Sequence, residues 1–99
     1  MYEYEYDKVV AKLKAGEKLT EQDMCTLVYD GYEIDEVDGY RNSWTESITT
    51  ILDIDGELWA IDWDRGLVDT QANKFDRQPY RVRTVERTAI TTDYVALEG

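Results

Sequence analysis

The first thirty residues carry two short apolar stripes at helical spacing. Val9, Val10 and Leu13 form the first stripe and predict a helix over residues 5–15, which Gly16 would end. The second stripe predicts a helix that begins after a favourable N-cap, Thr20, and stops at Gly31. Its buried face is formed by Met24, Leu27 and Val28.

From Tyr32 onward the apolar positions alternate with polar ones, which is typical of strands. One predicted strand places on its buried face Trp44, Ile48, Leu52 and Ile54. Its other face would carry Thr45, Ser47, Thr49 and Asp53. Asp55-Gly56 is a strong signal for a hairpin turn into the next strand, because both positions of such a turn need a positive φ. That strand alternates Trp59, Ile61 and Trp63 with Ala60, Asp62 and Asp64.

The last third of the chain predicts two more strands after a polar loop. The loop covers residues 65–78 around Leu67 and Phe75, with room for a helical turn. One strand contains Tyr80, Val82 and Val85 with an irregular step, and the last covers residues 88–97. We expect one domain over residues 1–99 in the α+β class: two short N-terminal helices packed on an antiparallel β-meander of about four to five strands.

The charge of the chain is concentrated in its middle third. The net charge is −11, from 22 acidic and 11 basic residues, with no histidine. Residues 28–64 hold eleven acids and one base, Arg41, whereas residues 1–27 sum to −2 and residues 65–99 to +1. Such a surface attracts a basic partner and disfavours direct binding to nucleic acid or to anionic membranes. Solubility alone is the competing explanation for the acidity.

Sequence signals for other functional classes are weak. Asp53, Asp55 and Glu57 resemble the start of a calcium loop. However, the glycine is the fourth residue and not the sixth, and the flanking segments are predicted to be strands and not helices. Asp62 and Asp64 share a strand face and could hold magnesium, although a solvated face explains them better. No histidine could activate the single cysteine, which is expected in the core. We therefore expect no enzyme activity, no metal and no cofactor.

Cellular location follows from similar signals. A single cysteine, Cys25, permits no internal disulfide, and no apolar run reaches eighteen residues. The first residues, Met1 to Tyr6, lack the basic and apolar regions of a signal peptide. We expect a cytoplasmic protein.

The acidic residues of the middle third are the candidate binding site. Carboxylates on one strand face lie about 6.7 Å apart and can imitate a line of phosphates. Charge reversal at Asp35, Glu36 and Asp38 should then weaken a salt-sensitive complex. The candidate partner-binding residues are Asp30, Glu33, Asp35, Glu36, Asp38, Asp53, Asp55, Glu57, Asp62 and Asp64.

Aromatic residues leave a second type of contact open. Tyr2, Tyr4 and Tyr6 alternate with acids and either cap the core or join a contact surface. The three tryptophans are expected in the core or on a sheet face, with one of them available as an interface anchor.

The segment from Trp44 to Tyr80 resembles small acidic proteins common in phages and mobile elements of Gram-positive bacteria. A Leu19-Thr20-Glu21 helix start is also similar, so the resemblance covers most of the chain. Members usually carry Gly-Leu-Thr-Glu where this chain has Gly66-Leu67-Val68-Asp69. The matching segments are Trp44-Thr45-Glu46-Ser47, Trp59-Ala60-Ile61-Asp62-Trp63, Gly66 to Phe75 and Gln78-Pro79-Tyr80.

The resemblance implies a phage origin, and such proteins include DNA-mimicking inhibitors of CRISPR nucleases and of restriction enzymes. The expected function is occlusion of the basic nucleic-acid-binding surface of a bacterial defence nuclease, with a CRISPR effector as the first target and a restriction enzyme as the second. Two alternatives stay open. One is a phage accessory or structural protein that self-associates, for example as a homodimer, and the other is a metal-dependent hydrolase using Asp62 and Asp64.

Overall fold

A computed structural model, which describes residues 2–87 and 91–97, confirms the α+β class. The five strands form one antiparallel sheet in the order β1-β2-β3-β4-β5, which is a meander. The elements are α1 (Tyr2–Lys14), α2 (Glu21–Asp30), β1 (Tyr32–Arg41), β2 (Thr45–Ile54), β3 (Glu57–Gly66), β4 (Tyr80–Arg87) and β5 (Thr91–Ala96).

Both helices lie in the predicted regions; α2 has the predicted ends, whereas the ends of α1 are shifted. Helix α1 begins at Tyr2, three residues before the predicted start at residue 5, because Tyr2 and Tyr6 extend the helical spacing of the apolar stripe backwards. Thr20 caps α2 as predicted: its hydroxyl accepts from the backbone N–H of Asp23, and the Asp23 carboxylate accepts from the N–H of Thr20. Neither helix is long and apolar enough to span a membrane, and the described residues contain no other candidate.

The predicted Asp55-Gly56 turn joins β2 to β3. Both residues have positive φ, 53° for Asp55 and 84° for Gly56, as the tight two-residue hairpin turn requires. The Asp53 carboxylate accepts a hydrogen bond of 2.9 Å from the Gly56 N–H. These acids therefore build a hairpin turn, which explains the pattern that resembled a calcium loop.

The main core lies between the helices and one face of the sheet, here called the near face. Ile48, Leu52 and Ile54 from β2 pack with Ile61 and Trp63 from β3 against apolar side chains of both helices. Trp63 donates its indole N–H to the buried hydroxyl of Thr50 at 2.9 Å, so this large side chain leaves no polar group unpaired.

The opposite face, here called the far face, buries a second and smaller cluster. Ile51, Ala60 and Val82 are its buried members, and Leu58, Tyr80 and Tyr94 pack against them. Strands β4 and β5 contribute Val82, Tyr80 and Tyr94 to this cluster, although β4 pairs with β3 at only two positions, Trp59 with Arg81 and Ala60 with Tyr80. The predicted polar face of β2 is thus partly covered, which the alternation pattern did not indicate.

The prediction that Trp44 belongs to the buried face of a strand is wrong. Trp44 precedes β2 and is 58% exposed. The Asn42 side chain accepts hydrogen bonds from the N–H groups of Trp44 and Thr45, which holds residues 42–44 as the turn between β1 and β2. Local turn chemistry overrides the strand alternation here.

The loop between β3 and β4 is anchored by side chains and contains no helix. Phe75 is buried and stacks on Trp63, with ring centroids 4.8 Å apart. Gln78 both donates to the carbonyl and accepts from the N–H of Leu19, which ties the loop to the start of α2. Any Cβ on Gly66 would lie 1.9 Å from the Gln71 carbonyl oxygen, so only glycine permits this close approach.

Candidate functional site at the β1 edge

Strand β1 is an edge strand, and nearly all of it is exposed. Nine of its ten residues are exposed, with Asp35 as the half-buried exception. It pairs with β2 on one side only, so its other backbone edge is open to a partner strand. Four acids and one base lie within this strand, a net charge of −3 from Glu33, Asp35, Glu36, Asp38 and Arg41.

A bulge in β1 sorts these acids onto two faces. The register with β2 shifts between Glu33 and Asp35, with Ile34 as the extra residue. Glu33, Glu36 and Asp38 therefore pair with Leu52, Thr50 and Ile48, which all belong to the near face. Asp35 instead pairs with Ile51 and belongs to the far face. We call Asp30, Glu33, Glu36 and Asp38 the acidic edge.

Ion pairs with other segments neutralise four of the ten candidate acids. Three of the bases come from residues 65–81 and one from α1, so tertiary contacts partly cancel the charge separation seen along the sequence. Each of these pairs is at least partly exposed and contributes little to stability. The pairs are Glu36 with Arg65, Asp64 with Arg77, Glu57 with Arg81, and Asp55 with Lys14.

Hydrogen bonds occupy three further candidates. Asp62 accepts from the hydroxyls of Thr49 and Tyr80, and Asp35 accepts from the hydroxyl of Tyr94 at 2.9 Å. Asp53 belongs to the hairpin turn. The half-buried Asp62 and Asp64 are thus parts of a polar network on the far face, where Ser47 also donates to Asp64.

Three candidates carry no ion pair or side-chain hydrogen bond to the described residues: Asp30, Glu33 and Asp38. All three are exposed, at the end of α2 and along β1. Their charge is available to a partner, because no group within residues 2–87 or 91–97 has to be displaced first.

Tyrosine hydroxyls beside carboxylates have shifted acidities. Burial raises the pKa of Tyr80, and the negative charge of Asp62 and the hydrogen bond to it raise it further. Burial also raises the pKa of Tyr94, together with the hydrogen bond to Asp35. Both hydroxyls therefore stay protonated as donors well above neutral pH.

Exposed aromatic residues surround the acidic edge, and the sequence pattern did not single out the tyrosines among them. Tyr32 is 75% and Tyr40 is 72% exposed, both on β1, and Tyr29 and Trp44 lie exposed at its two ends. Ile34 and Val37 are also exposed on this strand. Their exposure could have been predicted from the position of β1, because the first strand of a meander lies at an edge of the sheet.

Other predicted aromatic and sulfur positions have plain structural roles. Tyr6 packs partly buried against the main core, whereas the side chains of Tyr2 and Tyr4 lie outside the described residues. Cys25 is a free, half-buried thiol that packs against the same core, and burial raises its pKa. Within residues 2–87 and 91–97 no three His, Cys, Asp or Glu side chains form a group that could hold a metal.

Comparison with known proteins gives no match to a family model, to a curated protein sequence or to a solved structure. The resemblance to small acidic phage proteins therefore stays a prediction.

Proposed function

We propose that this protein is a non-enzymatic inhibitor that binds and occludes the basic nucleic-acid-binding surface of a bacterial defence nuclease. The proposed target is a CRISPR effector first and a restriction enzyme second, as the resemblance to acidic phage inhibitors suggests. The protein would act in the cytoplasm of the bacterial host, without a cofactor and without contacting nucleic acid itself.

The observation that carries this proposal is the exposed, partly unpaired acidic edge on β1. Asp30, Glu33 and Asp38 have no ion-pair partner among the described residues; Asp30 ends α2, and Glu33 and Asp38 lie on a strand that is exposed almost throughout. Glu33, Glu36 and Asp38 share one face of that strand. A basic groove that normally follows a phosphate backbone is complementary to such a row.

Exposed aromatic residues would supply contact area beside the charges. Tyr32 and Tyr40 lie on β1 itself, and Trp44 follows it. Tyrosine and tryptophan are enriched among residues that dominate binding energy, whereas exposed charges mainly raise the association rate, by roughly 10-fold to 1000-fold. Charge would therefore steer the complex and the aromatic side chains would hold it.

The same aromatic residues favour one other function, an accessory phage protein that self-associates. Its simplest form, a homodimer through the open edge of β1, would place the acids Glu33, Glu36 and Asp38 against the same acids of a second copy. Like charges directly opposite one another destabilise strand pairing. We therefore rank this function second.

The test is a pulldown of the tagged protein from a bacterial host lysate at low and at high salt. We expect a nuclease in the low-salt eluate and its loss at high salt, because exposed charges are screened. Glu33→Lys with Asp38→Lys should abolish capture. Asp35 and Glu36 are left unchanged here, since reversing them would also break contacts with Tyr94 and Arg65.

The matched control is Glu17→Lys with Asp69→Lys, two exposed acids in loops outside the acidic edge. It changes the net charge by the same amount and should retain the nuclease. Equal loss in both double variants would show that only net charge matters and would contradict a site at β1. Recovery of the protein alone, or of phage components, would support self-association instead.

A further inference from the structure

A cleft of about 720 Å³ lies between β1 and β5, at the two edges of the same sheet. Its floor is the small apolar cluster of the far face, with Ile51, Ala60 and Val82. Four consecutive residues of β1, from Asp35 to Asp38, and three of β5, from Asp93 to Val95, form its walls.

The consecutive wall residues show that the cleft runs along both strand edges. Side chains of a strand point alternately to opposite faces, so a pocket on one face would be lined by every second residue. Here successive residues of both strands border the cleft. This is expected for a cleft that opens between two strand edges and is bordered by their backbones. Among the described residues no backbone hydrogen bond joins β1 to β5.

An added strand needs unpaired backbone on both sides, and among the described residues the facing edges of β1 and β5 are not hydrogen-bonded to each other. A strand inserted between two others needs about 9.5 Å between its neighbours, twice the usual strand spacing. A tyrosine and an aspartate side chain, joined end to end by the 2.9 Å hydrogen bond from Tyr94 to Asp35, connect β1 and β5 across this gap. That bond lies on the far face, because Asp35 pairs with Ile51 in the register of β1 with β2.

We propose that an extended, lysine- or arginine-rich segment of the partner docks in this cleft as an added strand along β1. The cleft walls carry the acids Asp35, Glu36, Asp38 and Asp93, so a basic segment is complementary and a second copy of the acidic β1 is not. Main-chain hydrogen bonds would provide affinity and the acids specificity. This inference rests on the proposed function only in requiring a basic partner.

The experiment uses the full chain and a short synthetic peptide that alternates lysine and valine. Its control is the same peptide with alternate backbone amides N-methylated, which keeps charge and side chains but removes donors along one edge. We expect N-methylation to weaken binding at least about tenfold, the loss of several main-chain hydrogen bonds. Amide hydrogen exchange should slow within residues 32–41 and 93–96, and remain unchanged in α2.

Asp38→Lys should weaken peptide binding several-fold, whereas the matched Asp69→Lys variant should bind normally. Equal affinity for the two peptides, or no binding to either at low salt, would overturn docking as a strand. That failure differs from failure of the proposed function. If the pulldown captures a nuclease but the peptide test fails, the nuclease binds by electrostatic contact alone and the proposed function stands. Slowed exchange confined to residues outside β1 and β5 would also overturn the inference.

Discussion

Single residues on the far face join strands through side-chain hydrogen bonds, β4 to its neighbour β3 and β5 to β1 at the other edge of the sheet. The hydroxyls of Tyr80 and Tyr94 donate to Asp62 and Asp35, two carboxylates that form no ion pair with the part of the chain that the structure describes. These contacts need protonated tyrosines, and burial together with the nearby carboxylates raises the pKa of both. The stability of the far face should consequently depend on pH in the alkaline range.

We expect the free energy of unfolding to fall as pH rises above about 10, the ordinary pKa of tyrosine. Above that pH the unfolded chain loses tyrosine protons that the folded chain retains, so the unfolded state binds fewer protons and stability declines. Urea unfolding at several pH values between about 8 and about 11, a range that brackets the titration of tyrosine, measures this fall in stability. Tyr80→Phe with Tyr94→Phe should give a shallower decline.

Each of these two replacements also removes one hydrogen bond, which should lower the free energy of unfolding at neutral pH by about 1 kcal/mol. The control is Tyr40→Phe, because that side chain is largely exposed and has no such contact among the described residues. Parallel declines in the double variant and the unmodified protein would disprove the role assigned to Tyr80 and Tyr94.

At the level of elements, the start of α2 is fixed by interactions that converge on one acid. Asp23 completes the capping box with Thr20 and forms an ion pair with Lys12 of α1. Burial of Asp23 opposes its ionisation, but hydrogen bonds from Lys12 and Thr20 outweigh this and lower its pKa overall. One side chain thus caps α2 and links the two helices.

Thr20→Ala should reduce the free energy of unfolding by about 1 kcal/mol, because it removes the hydroxyl that accepts the Asp23 N–H. Chemical denaturation at neutral pH measures the change. Thr20→Ser keeps the hydroxyl and should recover most of the loss. If serine and alanine are equally destabilising, the capping interaction is not the cause.

At the level of the whole molecule, acids outnumber bases two to one, and ion pairs leave the net charge of −11 unchanged. The remaining repulsion is greatest where unpaired acids are close in sequence, at the end of α2 and on β1. Net repulsion destabilises a compact state and is screened by salt. The same screening that weakens partner binding should therefore strengthen the fold.

We expect the thermal midpoint to rise as sodium chloride increases from about 0.01 M to about 0.15 M, which shortens the screening length roughly from 30 Å to 8 Å. Calorimetry at the two concentrations measures the rise. Glu33→Lys with Asp38→Lys should show a smaller rise, because it replaces two negative charges by two positive ones and so reduces the net negative charge by four units. A midpoint that falls with salt would mean that the ion pairs outweigh the repulsion.

Much of the fold and part of the candidate site follow from local sequence rules. Thr20 and the Asp55-Gly56 turn were predictable because capping and positive φ depend on neighbouring residues only. The prediction for Trp44 was wrong because alternation cannot reveal that the Asn42 side chain accepts a hydrogen bond from the Trp44 N–H and forms a turn before the strand begins. The ten acids were identifiable as a group, but their individual availability was not.

The sequence by itself determined the element order, the near-face core and the concentration of acids in the middle third, since each depends on periodicity or composition. Only the tertiary structure decided which acids remain unpaired, because Arg65, Arg77 and Arg81 are distant along the chain from the acids they meet. It also decided the β1 bulge, which places Glu33 on the same face as Glu36 and Asp38. Ion pairs and strand register depend on contacts between remote segments, and such contacts leave no local pattern.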